Sequence, residues 1–104
     1  MANVYSQRFL AWAADESPPP FEVPTGYVAV VRDADIYSGG GAIINWVLSV
    51  NTIAHFAAGE FTIEAVAQTA QWRGRQVLNP GEFLVFASDG ATDGMVSGYL
   101  LSLP

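Results

Sequence analysis

Cysteine and lysine are absent from this 104-residue chain, and histidine occurs once, at position 55. Without cysteine the chain can form neither a disulfide nor a thiolate metal site. A catalytic triad could be built only around His55, which lies in a short run of alanine, phenylalanine and isoleucine with no nucleophile motif beside it. We therefore expect His55 to be structural, and the protein to be no enzyme and to need no cofactor.

Charge is scarce as well. Only 13% of the residues are charged, against about a quarter in ordinary globular proteins, while 51% are hydrophobic. A small domain has much surface for its volume, so it should need more polar residues, not fewer. The composition predicts that part of the apolar surface is covered by another protein, in the first place by sister copies of this chain.

The remaining absences exclude further classes. The net charge is −6, and the only cations besides His55 are Arg8, Arg32, Arg73 and Arg75, which argues against a broad nucleic-acid-binding face. The chain contains no run of 18 apolar residues, so no membrane-spanning segment is predicted. The N-terminus lacks the basic segment and apolar run of a signal peptide. We expect a protein made in the cytosol and used there or in an assembly built there.

Short apolar runs separated by turn signals about every ten residues predict an all-β sandwich or barrel. The predicted strands are residues 4–12, 27–37, 42–50, 52–57, 60–67, 70–78, 82–88 and 95–103, with a possible short strand at 21–23. Eight strands in two sheets is the number in a jelly roll. The sequence thus predicts one jelly-roll-like sandwich of about eight antiparallel strands over residues 1–104. Residues 42–58 could alternatively support a helix.

The alternation within these segments predicts which faces are buried. Residues 60–67 alternate apolar and polar side chains, which indicates one buried and one wet face. Residues 82–88 are apolar on both faces, and 27–37 begin so. In a lone sandwich each sheet has one face in water, so such strands predict a covering neighbour. The alternation in 4–12 places five side chains on one face: Val4, Ser6, Arg8, Leu10 and Trp12.

Two pairs of carboxylates are candidate ion sites. Asp33 and Asp35 share one strand face, where they could bind a cation or act as an acid/base pair, or face solvent or an arginine of another chain. Asp89 and Asp93 lie in a glycine-rich turn that lacks the spacing and distal glutamate of an EF-hand, so we expect a plain hairpin loop. No metal site is predicted.

Half of the arginines lie in the segment Arg73-Gly74-Arg75, beside Trp72. Both guanidinium groups share one strand face, and three interpretations remain open. They could pair with acidic residues of a neighbouring subunit, since arginine suits interface carboxylates. They could contact phosphate, or they could form an intramolecular salt bridge with Glu60, Glu64 or Asp33.

The aromatic residues number three tryptophans, four tyrosines and six phenylalanines. Most must be core, but tryptophan and tyrosine are also enriched at interfaces. The candidates for core or interface are Trp12, Tyr37, Trp46, Trp72 and Tyr99. A carbohydrate-binding face built from exposed aromatics is the alternative.

The C-terminal segments resemble the last two strands of C1q/TNF-like jelly rolls. The resembling stretches are Asn79 to Phe86 and, after an Asp/Gly-rich turn, Val96 to Leu101 with its aromatic–leucine–leucine ending. In that family the domain is a compact trimer in which aromatic residues of one sheet line the threefold axis. The resemblance implies a jelly roll that forms trimers.

The whole layout also resembles small virion proteins of tailed bacteriophages. The similar stretches are the Val-Tyr-Ser start, Val23 to Asp33, Gln71 to Val77 and the Ser-Gly-Tyr ending. This resemblance implies a structural virion protein, assembled in the host cytoplasm, that decorates or cements the major capsid lattice as a trimer. The alternatives are a minor tail or baseplate component and a lectin-like module. The interface residues expected are Arg73, Arg75, Trp72, Tyr99, Trp12 and Trp46.

Overall fold

The computed structural model describes residues 3–14 and 16–104. It confirms the all-β prediction, since its elements are strands: β1 Val4–Trp12, β2 Phe21–Glu22, β3 Tyr27–Ser38, β4 Ile44–Val50, β5 Ala54–Phe61, β6 Gln68–Leu78, β7 Phe83–Ser88 and β8 Asp93–Ser102. Within those residues, no helix is long and apolar enough to span a membrane. The possible short strand near residue 21 exists as β2.

The strands form two four-stranded antiparallel sheets. The first sheet has the order β1-β8-β3-β6 and the second the order β2-β7-β4-β5. Pairs nest along the chain, because β4 pairs with β5, β3 with β6, β2 with β7 and β1 with β8. An eight-stranded hairpin rolled into two facing sheets has this order, which is that of a jelly roll.

The core lies between the inner faces of the two sheets. Alternation places Val31 and Ile36 of β3 opposite Leu48 of β4 and Leu84 of β7, and all four side chains are fully buried. Burying each such aliphatic side chain stabilises the fold by about 1.5–3 kcal/mol. On β4 the inward side chains are Ile44, Trp46, Leu48 and Val50, and on β8 they include Val96 and Leu100; all six are buried.

The prediction of strands at 52–57 and 60–67 is wrong. One strand, β5, covers 54–61, and residues 62–67 form a loop in which Ile63 and Val66 are exposed. The loop forms because the Gln68 side chain takes both backbone hydrogen bonds of Thr62, accepting from its N–H at 3.0 Å and donating to its carbonyl at 3.1 Å. The helical alternative for 42–58 is likewise wrong, because this segment is the β4–β5 hairpin.

The predicted facing of β1 is also wrong beyond Arg8. Arg8 pairs with Ser97 of β8 and Leu10 pairs with Val96, so Phe9 is an extra residue that forms a β-bulge. A bulge shifts the alternation by one residue. Leu10 therefore faces inward, as does Trp12, whereas Val4, Ser6 and Arg8 are exposed.

Candidate functional site: the outer face of the first sheet

The solvent-side face of the first sheet has an apolar end. Register places Val4, Leu101 and Val28 in one cross-strand row, and Ser6, Tyr99, Val30 and Val77 in the next. Neither row contains a charged side chain. We call six of these residues the apolar end: Val4, Val28, Val30, Val77, Tyr99 and Leu101.

Val30 shows that this end has an apolar layer of its own. It is only 4% exposed, yet it does not belong to the core cluster. Its neighbours in register are Tyr99 on β8 and Val77 on β6. Val77 is 45% exposed and Val4 62% exposed, so the layer is incompletely covered within a single chain.

An open depression adjoins the apolar end. Both strands that flank β8 carry an extra residue at this level, Phe9 in β1 and Arg32 in β3. Gly98 lies opposite Val31, and a Cβ there would come within 1.9 Å of the Val30 carbonyl oxygen. The depression measures about 470 Å³, and its lining includes Arg8, Arg32, Ser6, Ser97, Tyr99 and Met95.

The opposite, polar end is held by one arginine. Arg73 Nε lies 3.2 Å from Asp33 Oδ1, and its Nη2 lies 3.0 Å from Asp35 Oδ1. Its Nη1 also donates to the backbone carbonyls of Trp72 and Ala34. The two carboxylates are thus occupied by a fork of the same chain. Within the described ranges, no group of three histidine, aspartate or glutamate side chains could hold a metal ion.

Three of the predicted interface residues lie on this face. Arg73 and Arg75 are exposed on β6, and Tyr99 is half-buried in the apolar end. For Arg73 the intramolecular interpretation is observed, with Asp33 as predicted and Asp35 in addition. Arg75 makes no ion pair with a carboxylate in the part of the chain that the structure describes.

The tryptophans are not on this face. Trp72 points inward on β6, packs against the core and contacts Phe56 edge-on, with ring centroids 5.3 Å apart. Trp12 and Trp46 are each 6% exposed and belong to the core cluster. Their positions on the inner faces of β1 and β4 bury both rings within one chain. As interface candidates they are therefore corrected to core residues.

The contacts of the Trp12 and Trp46 indole rings differ. Trp12 Nε1 donates to Thr92 Oγ1 at 3.2 Å, and the ring lies against Phe86. Trp46 lies against Gly59, where a Cβ would come within 2.8 Å of the indole ring. Its buried Nε1 has no hydrogen-bond partner among the residues described. Gly59 therefore provides the space that the Trp46 ring occupies.

The remaining candidates lie away from the first sheet's outer face or at its rim. Asp89 accepts hydrogen bonds from Asn45 N at 2.7 Å and Asn45 Nδ2 at 3.0 Å, which lowers the pKa of its carboxyl group. These bonds hold the β7–β8 turn against β4, and no metal group is formed there by the described side chains. His55 is exposed on β5 opposite Ser49. Tyr37 is 43% exposed at the polar end.

Sequence reasoning missed Arg8 and Arg32 as a pair. They are 24 positions apart in the chain and become neighbours only because β8 inserts between β1 and β3. The one local signal was Gly98 inside a strand pattern, since glycine there marks a bulge or a close backbone approach.

Comparisons with known proteins are sparse. No protein-family model matches the chain, and no curated protein matches it. Among solved structures the chain is similar to the Eiger TNF of S. frugiperda, with 13% sequence identity, over 100% of this chain and 92% of that chain. The TM-score is 0.46, which is too low to support an argument, and the jelly-roll assignment rests on the strand order.

Proposed function

We propose that this protein is a structural component of a virion that self-associates, as a trimer, through the outer face of its first sheet. Trimers are then mounted on the major capsid lattice of a tailed bacteriophage as a decoration or cement protein. A tail or baseplate position is the alternative within the same class. The observation that carries the proposal is the apolar end, two uncharged cross-strand rows that a single chain leaves partly uncovered.

The size and position of the exposed side chains support association. Val4 and Val77 lie at opposite edges of the sheet, and the half-buried Tyr99 lies between them. Contiguous apolar surface of this kind marks interaction sites on soluble proteins. Its burial stabilises a complex by about 25 cal/mol for each Å² of apolar area removed from water. Tyrosine also contributes rigid contact area with a polar tip that suits an interface.

The charge pattern supports the same face. Arg73 bridges Asp33 and Asp35 on its own sheet, so this cluster presents one net negative charge instead of two to an approaching copy. The low overall charge agrees with a surface that is covered in use. The virion location is supported by the sequence resemblance to small phage virion proteins, and repeated weak contacts on a lattice would act together through avidity.

The sugar-binding alternative has less support. A lectin-like face would present tryptophan or tyrosine rings to solvent next to polar side chains. Trp12 and Trp46 are buried, and Trp72 is half-buried against Phe56. Tyr5 and Tyr37 are exposed, but register places them in different rows of the first sheet. No tryptophan platform is formed by the described residues.

The test is the mass in solution by light scattering, measured for the wild type and two variants. The wild type should have three times the chain mass of 11.1 kDa. Val77→Gln places an amide in the apolar end, and burying it in each copy costs about 1–3 kcal/mol, so its mass should fall towards that of one chain at micromolar concentration. Ile53→Gln is the matched control, because Ile53 is 84% exposed in the β4–β5 turn, and its mass should not change.

A wild type that remains a monomer at millimolar concentration would overturn the self-association proposal. The virion location needs a separate measurement. Antibody labelling of purified particles, viewed by electron microscopy, should mark the capsid surface at symmetry-related positions. Labelling confined to the tail would support the alternative, and unlabelled particles would exclude both.

A further inference from the structure

We propose that the depression beside Gly98 binds the oxyanion group, carboxylate or phosphate, of a small anionic ligand. The site lies beside the apolar end on the same sheet and shares one residue with it, Tyr99. It does not depend on self-association.

The first argument is the distribution of positive charge. The chain has ten acidic residues and four arginines. Arg73 is bound to Asp33 and Asp35, whereas Arg8 and Arg32 make no ion pair with any carboxylate in the ranges 3–14 and 16–104. Both nevertheless line the same depression. Two guanidinium groups held near each other repel, and a bound anion would remove that repulsion.

The second argument is how the backbone places these arginines. Arg8 pairs across the sheet with Ser97, and Ser97 pairs with Asp33, the residue after Arg32. The two arginines therefore extend from either side of β8, with Cα atoms about 10 Å apart by two strand spacings. β-Bulges re-aim side chains and are enriched beside functional sites, and both flanking strands carry one at this level. Guanidinium forks bind carboxylate and phosphate oxygens in pairs.

The third argument is the neutral lining. Ser6 and Ser97 supply hydroxyl groups, and Tyr99 supplies a phenol, all able to donate to an oxyanion. Asp33 also lines the depression, but Arg73 Nε lies 3.2 Å from its Oδ1 and offsets its charge. The Tyr99 ring and the Met95 side chain add an apolar wall for the carbon skeleton of the ligand.

The dimensions indicate a small ligand. About 470 Å³ lies within the range of small-molecule pockets, and the open shape leaves part of the ligand in water. An acidic monosaccharide or a phosphate ester has the required size and charge. The shared chemistry is the oxyanion, and the source of that oxyanion is what the experiment separates.

The experiment is a titration of the ¹⁵N-labelled protein, followed by its amide NMR spectrum. The probes are inorganic phosphate, glucuronate and glucose, each at constant ionic strength. We expect phosphate or glucuronate, or both, to shift the amides of Ser97, Gly98 and Tyr99. When the titrations are repeated at a higher, again constant, chloride concentration, the affinity should be lower. The anion that binds more tightly identifies the ligand's oxyanion as a phosphate or a carboxylate. Glucose, which carries no oxyanion, should cause no shift. If glucose shifted these amides as much as glucuronate does, the proposal would be overturned.

The variants separate a site from general attraction. Arg8→Gln and Arg32→Gln should each weaken binding by about tenfold or more, the effect expected for losing a charge-assisted hydrogen bond. Arg75→Gln removes an exposed arginine of the same sheet that does not line the depression, and it should leave the affinity unchanged. Equal weakening by all three variants, or no binding by either anion, would overturn the proposal.

The same titrations on Val77→Gln keep the two proposals distinguishable. Val77 does not line the depression, so this variant tests the site in a chain with a disrupted apolar end. Binding to Val77→Gln supports the anion site whatever the mass of the wild type proves to be. If neither the wild type nor Val77→Gln binds an anion, the anion-site proposal fails. The self-association proposal is not affected, because light scattering tests it separately.

Discussion

The outer faces of the two sheets belong to the same jelly roll but differ in relief. The first sheet's outer face bears large side chains at its apolar end and a depression beside it. The second sheet's outer face bears mostly short side chains over consecutive rows. One row has Val85 and Ser49 beside the larger His55, and the next has Ala87, Val47 and Ala58. The first face also bears all four arginines, Arg8, Arg32, Arg73 and Arg75, so the two faces differ in charge as well as in surface shape.

The difference arises from where extra residues enter the strands. In the first sheet both neighbours of the inner strand β8 are bulged at the same level, at Phe9 and Arg32. In the second sheet the register shift lies between β4 and the edge strand β5, while β4 and β7 pair regularly. The bulge at Arg32 lies between two inner strands, and together with the bulge in the edge strand β1 it flanks β8 on both sides, where the depression lies.

The largest effect should come from comparing one glycine of each sheet. A Cβ at Gly98 would lie 1.9 Å from the Val30 carbonyl oxygen, which is backbone, whereas a Cβ at Gly59 would lie 2.8 Å from the Trp46 ring, which can shift. We expect Gly98→Ala to lose more than about 3 kcal/mol of unfolding free energy. Gly59→Ala should lose about 1–2 kcal/mol. Urea denaturation of both variants measures the two values.

Gly26 supplies a different kind of control. Its φ is +91° and nothing lies within 4 Å of its added Cβ, so Gly26→Ala reports backbone strain without a clash. Equal losses for Gly98→Ala and Gly59→Ala would show that close strand approach is not what shapes the first sheet, and the contrast between the faces would need another cause.

A smaller effect is expected at the polar end of the first sheet. Arg73 is half-exposed and bridges Asp33 and Asp35, and exposed ion pairs contribute about 0–1 kcal/mol. Arg73→Ala should therefore lower the free energy of unfolding by about 1 kcal/mol or less, with a larger loss at low salt because two carboxylates remain side by side. Arg75→Ala, the matched control on the same strand face, should change it by less.

Denaturation at two salt concentrations decides the Arg73 prediction. A loss that does not depend on salt would mean that the side chain acts through its bonds to the Ala34 and Trp72 carbonyls, not through charge. A loss above about 2 kcal/mol would place Arg73 among the structural residues of the sheet instead of its surface.

Sequence reasoning succeeded where the local alternation of side chains is enough to predict which of them are buried. Alternation describes β4, where Ile44, Trp46 and Leu48 are buried at every second position, because regular antiparallel strands keep a period of two. It failed at β1, where Phe9 shifts the alternation, and at 62–67, where the Gln68 side chain replaces a strand neighbour. Both failures depend on contacts between residues that a local pattern does not contain.

The candidate site follows the same rule. Arg73 and Arg75 were found because they are adjacent in sequence, and Asp33 was among the predicted partners of the pair. The Arg8–Arg32 depression was missed because it needs β8 between β1 and β3, which strand count alone does not predict. Trp12 and Trp46 were candidates for core or interface, and their burial on the inner faces assigns both to the core.

The smallest effect concerns pH and compares the polar end of the first sheet with Asn45 and Asp89, which we call the polar end of the second sheet. The first sheet uses an ion pair at its polar end, whereas the second uses neutral donors. Asn45 Nδ2 and Asn45 N both donate to the Asp89 carboxylate. These bonds lower the pKa of Asp89, and the bond from the Asn45 side chain has the larger effect. A carboxyl whose folded pKa lies below its unfolded pKa stabilises the fold above the unfolded pKa, and this contribution is lost as pH falls through the folded pKa. Asn45→Ala should therefore raise the pKa of Asp89 towards its ordinary value. The small destabilisation that it causes should shrink as pH falls below about 4 and vanish once pH lies below the folded pKa.

An NMR titration of the Asp89 carboxyl carbon measures this shift, with Asn79→Ala as the control, because Asn79 lies in the β6–β7 turn and makes no hydrogen bond with Asp89. An unchanged Asp89 pKa in Asn45→Ala would mean that the backbone N–H of residue 45 alone holds the carboxylate. In that case the polar end of the second sheet would depend on strand geometry and not on the asparagine side chain. The two sheets would then differ in their polar ends as well as in their bulges, since only the first sheet would use side chains to build its polar end.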